Sequence, residues 1–281
     1  MSTDPVQPPH CHARARRVLA EVTAIRHELG RGADPRPAPE ITGATPREVY
    51  FEALALWRKA DRLAAEVGGG PAEPPRAAPL LTELRPAHVL GVLDAVVDRL
   101  AAIRARVGVT EAAPEPAIEA GRQPSDVLVT IVVAGRELSR ALERPFTPAD
   151  VYGQVALASA YAARLVEARR LSAPPPAPFE RARRPEDCYR RLQACLALAT
   201  VQVRRAGHDA LDARGALPDV LPGDVFDLAS LVVGELAFLH ALAPQAGAVA
   251  AFQPGPSGHR RPADVYQLAG TLEAQLTALA G

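Results

Sequence analysis

The sequence predicts an all-α protein of eight long helices, and three observations predict it. A phrase of the type Pro-x-Asp-Val-Tyr recurs along the chain, an apolar stripe with helical spacing follows each copy, and a glycine closes several stripes at one fixed distance. The fullest copies are Thr147-Pro148-Ala149-Asp150-Val151-Tyr152 and Arg261-Pro262-Ala263-Asp264-Val265-Tyr266. Looser ones begin at Pro46 (with Glu48 and Tyr50), Pro185 (with Asp187 and Tyr189), Pro222 (with Asp224 and Phe226), Pro124 (with Asp126) and Pro86 (with His88). A degenerate first copy is Pro8-Pro9-His10-Cys11-His12.

Each copy is a helix start. Proline suits the first helical position, because its missing N–H would be unbonded there and its φ is already helical. An acid two residues later occupies the third position, where it completes a capping box after Thr45 and Thr147 and complements the positive end of the helix dipole. The stripe then begins. After Pro86 it runs through Val89, Leu93, Val96, Leu100, Ile103 and Val107 to Gly108, the alternating four-and-three spacing of a helix packed nearly parallel or antiparallel to its neighbours. Gly30, Gly68, Gly108 and Gly207 each stand 22 residues after their proline, where a helix-ending glycine belongs. One unit is therefore one helix of about six turns, roughly 33 Å long.

The prolines at 8, 46, 86, 124, 148, 185, 222 and 262 are separated by 38, 40, 38, 24, 37, 37 and 40 residues. The single short gap divides the chain into two duplicated four-helix, bundle-like sets, residues 8–144 and 148–281, behind a disordered start at 1–7. A period in the high thirties is near that of tetratricopeptide and HEAT-type repeats, but those have two short helices per period where this chain has one long helix and a proline-rich link. The links reach about 50 Å at ~3.3 Å per residue, enough to return along a helix and make all four helices of a set parallel. Up-down-up-down bundles with external loops fit the same sequence. Lone apolar residues in the links (Ile41, Leu81, Ile118, Phe179, Val220) are expected to tuck onto helix ends as staples.

Composition limits the function classes. The chain has 32 basic and 32 acidic residues among 281, so no basic excess exists to displace phosphate counterions and no nucleic-acid partner is expected. Lys59 is the one lysine; the arginine, alanine and proline bias points to a GC-rich, bacterial coding sequence. Three cysteines make no disulfide framework. With no secretion signal and no span of about 20 apolar residues, a cytoplasmic protein is expected.

The repeated polar positions read as structure. Glu48, Asp126, Asp150, Asp187, Asp224 and Asp264 are expected to cap. Tyr50, Tyr152, Tyr189, Phe226 and Tyr266, at one repeat position, are expected to pack at helix entrances. His10, Cys11 and His12 are the candidate metal-ligand cluster, but neighbours on a helix point apart and no second cluster has ligand spacing, so neither metal nor cofactor is expected. Arg136 with Glu137, and Asp94 with Arg99, are expected on exposed faces. Nucleophile elbow, P-loop and dinucleotide fingerprints do not occur, and no catalytic residue is assigned. The sequence thus points to a non-catalytic binding or scaffolding protein that engages another protein, with homo-oligomerisation left open. The alternative is a carrier of a small apolar ligand or cofactor, using space that Ala53, Ala60, Ala134, Ala158, Ala162 and Ala199 would leave in a bundle.

Overall fold

The computed structural model describes residues 5–78, 80–214, 217–249 and 259–281. Among them are eight α-helices: α1 Pro8–Glu28, α2 Pro46–Glu66, α3 Pro86–Val107, α4 Pro124–Ala141, α5 Pro148–Ala168, α6 Pro185–Arg205, α7 Pro222–Ala241 and α8 Pro262–Ala280. Every one begins at its repeat proline. Two three-residue strands, β1 Glu40–Thr42 and β2 Asp212–Arg214, pair antiparallel with Ile41 opposite Ala213. A short 3-10 turn spans Leu81–Glu83.

The helix starts follow one chemistry. The side chain of the third helical residue accepts the backbone N–H of the capping residue in all eight: Glu48 from Thr45, Asp126 from Gln123, Asp150 from Thr147, Asp187 from Arg184, Asp224 from Leu221 and Asp264 from Arg261, at 2.7–3.0 Å. In α1 and α3 a histidine does the same work, His10 Nδ1 accepting from Gln7 and His88 Nδ1 from Arg85, both at 3.1 Å. The expected stop glycines are also where the chain turns left-handed, with φ of 67°, 79°, 86° and 82° at Gly30, Gly68, Gly108 and Gly207. Only a residue without Cβ adopts that conformation at no steric cost.

The chain forms two compact units, residues 1–145 with 211–216, and residues 146–210 with 217–281. The segment 211–214 groups with the first unit. Its β2 carries the pairing to β1 in the link between α1 and α2. The disordered start expected at 1–7 falls partly on residues 1–4, outside the described residues; Gln7 is the capping residue of α1.

In unit 1, α1 packs against α3 and α4, and α2 packs against the same two. Helices consecutive in the first pair therefore lie across the diagonal of the bundle, and the long links make that possible. All four run in the same direction. Pro8, Pro46, Pro86 and Pro124 line one mouth together with Cys11, Val49, Val89 and Val127. Below it the stripes close the core: Val18, Val22 and Ile25, Leu56 and Leu63, Leu93 and Leu100, Ile131 and Leu138 are all buried. Each such side chain contributes about 1.5–3 kcal/mol by leaving water.

Unit 2 shows the same neighbour pattern, α5 against α7 and α8, and α6 against the same two. Cys188, in the first turn of α6, donates to the Pro262 carbonyl at the start of α8. At the other end Arg169 reaches both Gln202 and the Leu279 carbonyl. The rings of Phe146, just before α5, and Phe226, in the first turn of α7, stand 4.4 Å apart. These contacts fix the four helices as parallel. Helix α7 is buried at every position from Gly223 to Leu239, and this buried stretch includes Asp224, Asp227, Ser230 and Glu235.

Parallel helices align their dipoles, so each unit gathers about half a positive charge per helix at its proline end, ~2 in all. Unit 2 answers with four aspartates at the third helical position, whereas unit 1 has two acids and two histidines. At the opposite ends Arg104, Arg106, Arg140, Arg204 and Arg205 stand in last turns, where cations are favoured.

Candidate interaction face at the helix starts

The repeat residues singled out by the sequence come together at the helix starts, within each unit by itself. In unit 1 the mouth is apolar: the prolines are joined by valines, and by Cys11, whose thiol donates to the Pro86 carbonyl at 3.2 Å. The depression there has a volume of about 10 Å³, room for about one water. Ala53, Ala60 and Ala134 in unit 1, and Ala158, Ala162 and Ala199 in unit 2, are all buried.

His10, Cys11 and His12 do not converge. His10 turns back to its own cap, Cys11 points across to α3, and His12 is buried beside Arg16, Glu119, Arg122 and Asp126. Burial, reinforced by Arg122, lowers the His12 pKa, because a charged imidazolium would lose solvation there. Burial likewise pushes the thiols of Cys11, Cys188 and Cys195 up to about 12. A thiol held protonated is a weak donor inside a core and a poor nucleophile.

The aromatic repeat position serves the helix entrance in several ways. Tyr50 is buried and its hydroxyl accepts the Ala78 N–H, from the link that follows α2. Phe226 is buried against Phe146. Tyr152 and Tyr266 are half-buried and carry arginines on their faces: Arg260 is 4.2 Å from the Tyr152 centroid, Arg191 3.8 Å and Arg183 4.4 Å from that of Tyr266. Tyr189 is half-buried.

Two expectations are corrected. Arg99, Arg136 and Glu137 are buried, not exposed. Glu137 pairs with Arg26 at 2.5 Å and accepts the Asp34 N–H, Arg136 donates to the Pro37 carbonyl, and Arg99 pairs with Asp61 and donates to the Gly70 carbonyl. The proline-rich links cover these side chains and offer their backbone as partners. The link residues, conversely, do not all act as staples. Val220 is buried, while Ile118 and Phe179 are 58% and 41% exposed; Ile41 lies in β1 and Leu81 in the 3-10 turn, both half-buried.

With Leu80, 53% exposed and not singled out by the sequence reading, these outward residues share one offset from a proline. Leu80, Ile118 and Phe179 each stand six residues before a repeat proline, Pro86, Pro124 and Pro185. The signal was present in the spacing. Among the described residues no group of three His, Cys, Asp or Glu could hold a metal ion, and no described helix is long and apolar enough to cross a membrane. Compared with protein-family models, with curated proteins and with solved structures, the chain matches none.

Proposed function

We propose that the protein is a non-catalytic helical binding or scaffolding protein that engages another protein through apolar link residues beside its helix starts. One observation carries this reading. Three large apolar side chains at the same offset from a repeat proline, Leu80, Ile118 and Phe179, are turned to solvent, where burial on a partner would return about 1.5–3 kcal/mol each. The carrier alternative needs more space than the mouth of unit 1 offers, which has room for about one water.

We read the two units as copies of one four-helix ancestor. The matched neighbour patterns support this, as do the thiols of Cys11 and Cys188, both three residues after a helix-starting proline and both donating to the first proline of another helix. A duplicated scaffold presents related faces twice. We place it in a bacterial cytoplasm, on the arginine-rich composition and the three buried free thiols.

Photo-crosslinking in the source cell tests the reading. A crosslinker placed at 118 or 179 should capture a protein that one placed at Glu28, an exposed last-turn residue of α1, does not. Capture should fall at least tenfold in Leu80→Ser/Ile118→Ser/Phe179→Ser, with an unchanged helical spectrum and melting temperature. Equal capture from all sites, or capture unaffected by the triple variant, would overturn it.

A further inference from the structure

The helix starts of unit 1 differ from those of unit 2 in one chemical respect. At the third helical position unit 2 has aspartate four times, while unit 1 has Glu48, Asp126, His10 and His88. The two histidines belong to α1 and α3, which are packed neighbours, and the Cys11 thiol joins the same two first turns through the Pro86 carbonyl. Each imidazole caps with Nδ1, which accepts a backbone N–H at 3.1 Å. A backbone N–H only donates, so Nδ1 must be bare and the ring proton must sit on Nε2.

We propose that His10 and His88 are acid-sensitive caps on the starts of the neighbouring helices α1 and α3 of unit 1. Protonation puts hydrogen on Nδ1, which then repels the N–H it had accepted. The cap then opens, and a positive charge appears where aligned helix dipoles already place positive potential. An aspartate in the same place stays ionised and capping down to pH 4–5.

The surrounding charges set the opposing pull. Glu48 is on α2 with Arg47, Asp126 on α4 with Arg122, and Glu119 in the preceding link with Arg16 and Arg122. Before α3 stand Glu83 and Arg85, and α1 adds His12 and Arg14, the latter paired with Asp94 of α3. Glu48, Asp126 and Glu119 each already face an arginine, so a new imidazolium competes for charge that is matched.

NMR on the full chain tests the proposal. Imidazole nitrogen shifts at pH 7.5 should report the Nε2–H form for both residues. Amide protection at Gln7 and Arg85, corrected for intrinsic exchange, should fall about fivefold from pH 7.5 to 5, the equivalent of about 1 kcal/mol per cap. His10→Asp/His88→Asp should hold its protection over that range, and His12→Gln should still lose it. An Nδ1–H form in the native chain, protection independent of pH, or loss of the effect in His12→Gln would each overturn the proposal. The first two need no variant to fold.

Discussion

The thiol of Cys11 donates to the carbonyl oxygen of Pro86 at 3.2 Å, joining the first turns of α1 and α3, and Cys188 repeats the contact to Pro262 at 3.3 Å between α6 and α8. A carbonyl in the first turn of an α-helix already accepts the N–H four residues on, so the thiol takes its second lone pair, and a thiol is small enough to reach it between packed helices. Burial keeps these thiols, and that of Cys195, protonated, with pKa values near 12. The attacking species in alkylation is the thiolate, so native protein at pH 8 should resist maleimide at all three sites. Labelling should follow the unfolding rate and reach three per chain in denaturant. Rapid labelling of Cys11 in folded protein would contradict the contact.

Arg170 is the exception to the glycine stops. It stands 22 residues after Pro148, the same offset as Gly30, Gly68, Gly108 and Gly207, and takes the same left-handed turn with φ of 55°. The following amide, of Leu171, returns to the Val166 carbonyl at 3.1 Å. A side chain in this conformation costs about 1 kcal/mol relative to glycine, and Arg170 is exposed. Arg170→Gly should therefore stabilise the protein by roughly 0.5–1 kcal/mol, read as a higher urea midpoint with unchanged slope. A loss of stability would mean that the arginine makes up for its own strain.

Helix starts and stops were legible because their causes lie within four residues of one another: Pro148 and Asp150, or Arg104 and Gly108, act on the same turn. Direction was not legible. A proline start reads the same whether its helix runs beside its neighbours or against them, and the links reach either way. Burial of charge was also hidden, since Arg136 finds the Pro37 carbonyl and Glu137 the Asp34 amide about a hundred residues away along the chain. The capping role of His10 and His88 could have been found, because both stand two residues after a repeat proline as the acids do. The strands β1 and β2, three residues each, are too short to show an alternating pattern.

Glu21 shows what the covered charges contribute. It is buried on α1, with one oxygen 2.7 Å from Arg104 Nε on α3 and the other accepting the Ala113 N–H of the link at 3.0 Å. Removing the carboxylate strands a mostly buried guanidinium and a link amide together. Glu21→Ala should cost about 3–5 kcal/mol, whereas Glu21→Gln, which can still accept the amide, should cost about 1–3. Equilibrium unfolding of both variants checks the order. Equal costs would mean that the charge itself is irrelevant.

His12 gives the fold an acid sensitivity of its own. Its folded-state pKa is lowered by burial and by Arg122, against the partial opposing pull of Glu119 and Asp126. The sign follows from proton binding. As pH falls through the unfolded value near 6.5, the unfolded chain takes up a proton that the folded one refuses. Stability attributable to this residue is therefore full above about pH 7. It declines below 6.5 by at most about 1.4 kcal/mol per pH unit, and stops declining once the folded imidazole also titrates. His12→Gln should flatten that part of the stability curve. Urea midpoints at pH 8, 6.5 and 5.5 for both proteins decide it: the gap between them must change in favour of the variant as the solution is acidified. Parallel curves would show that His12 meets its proton equally well in both states.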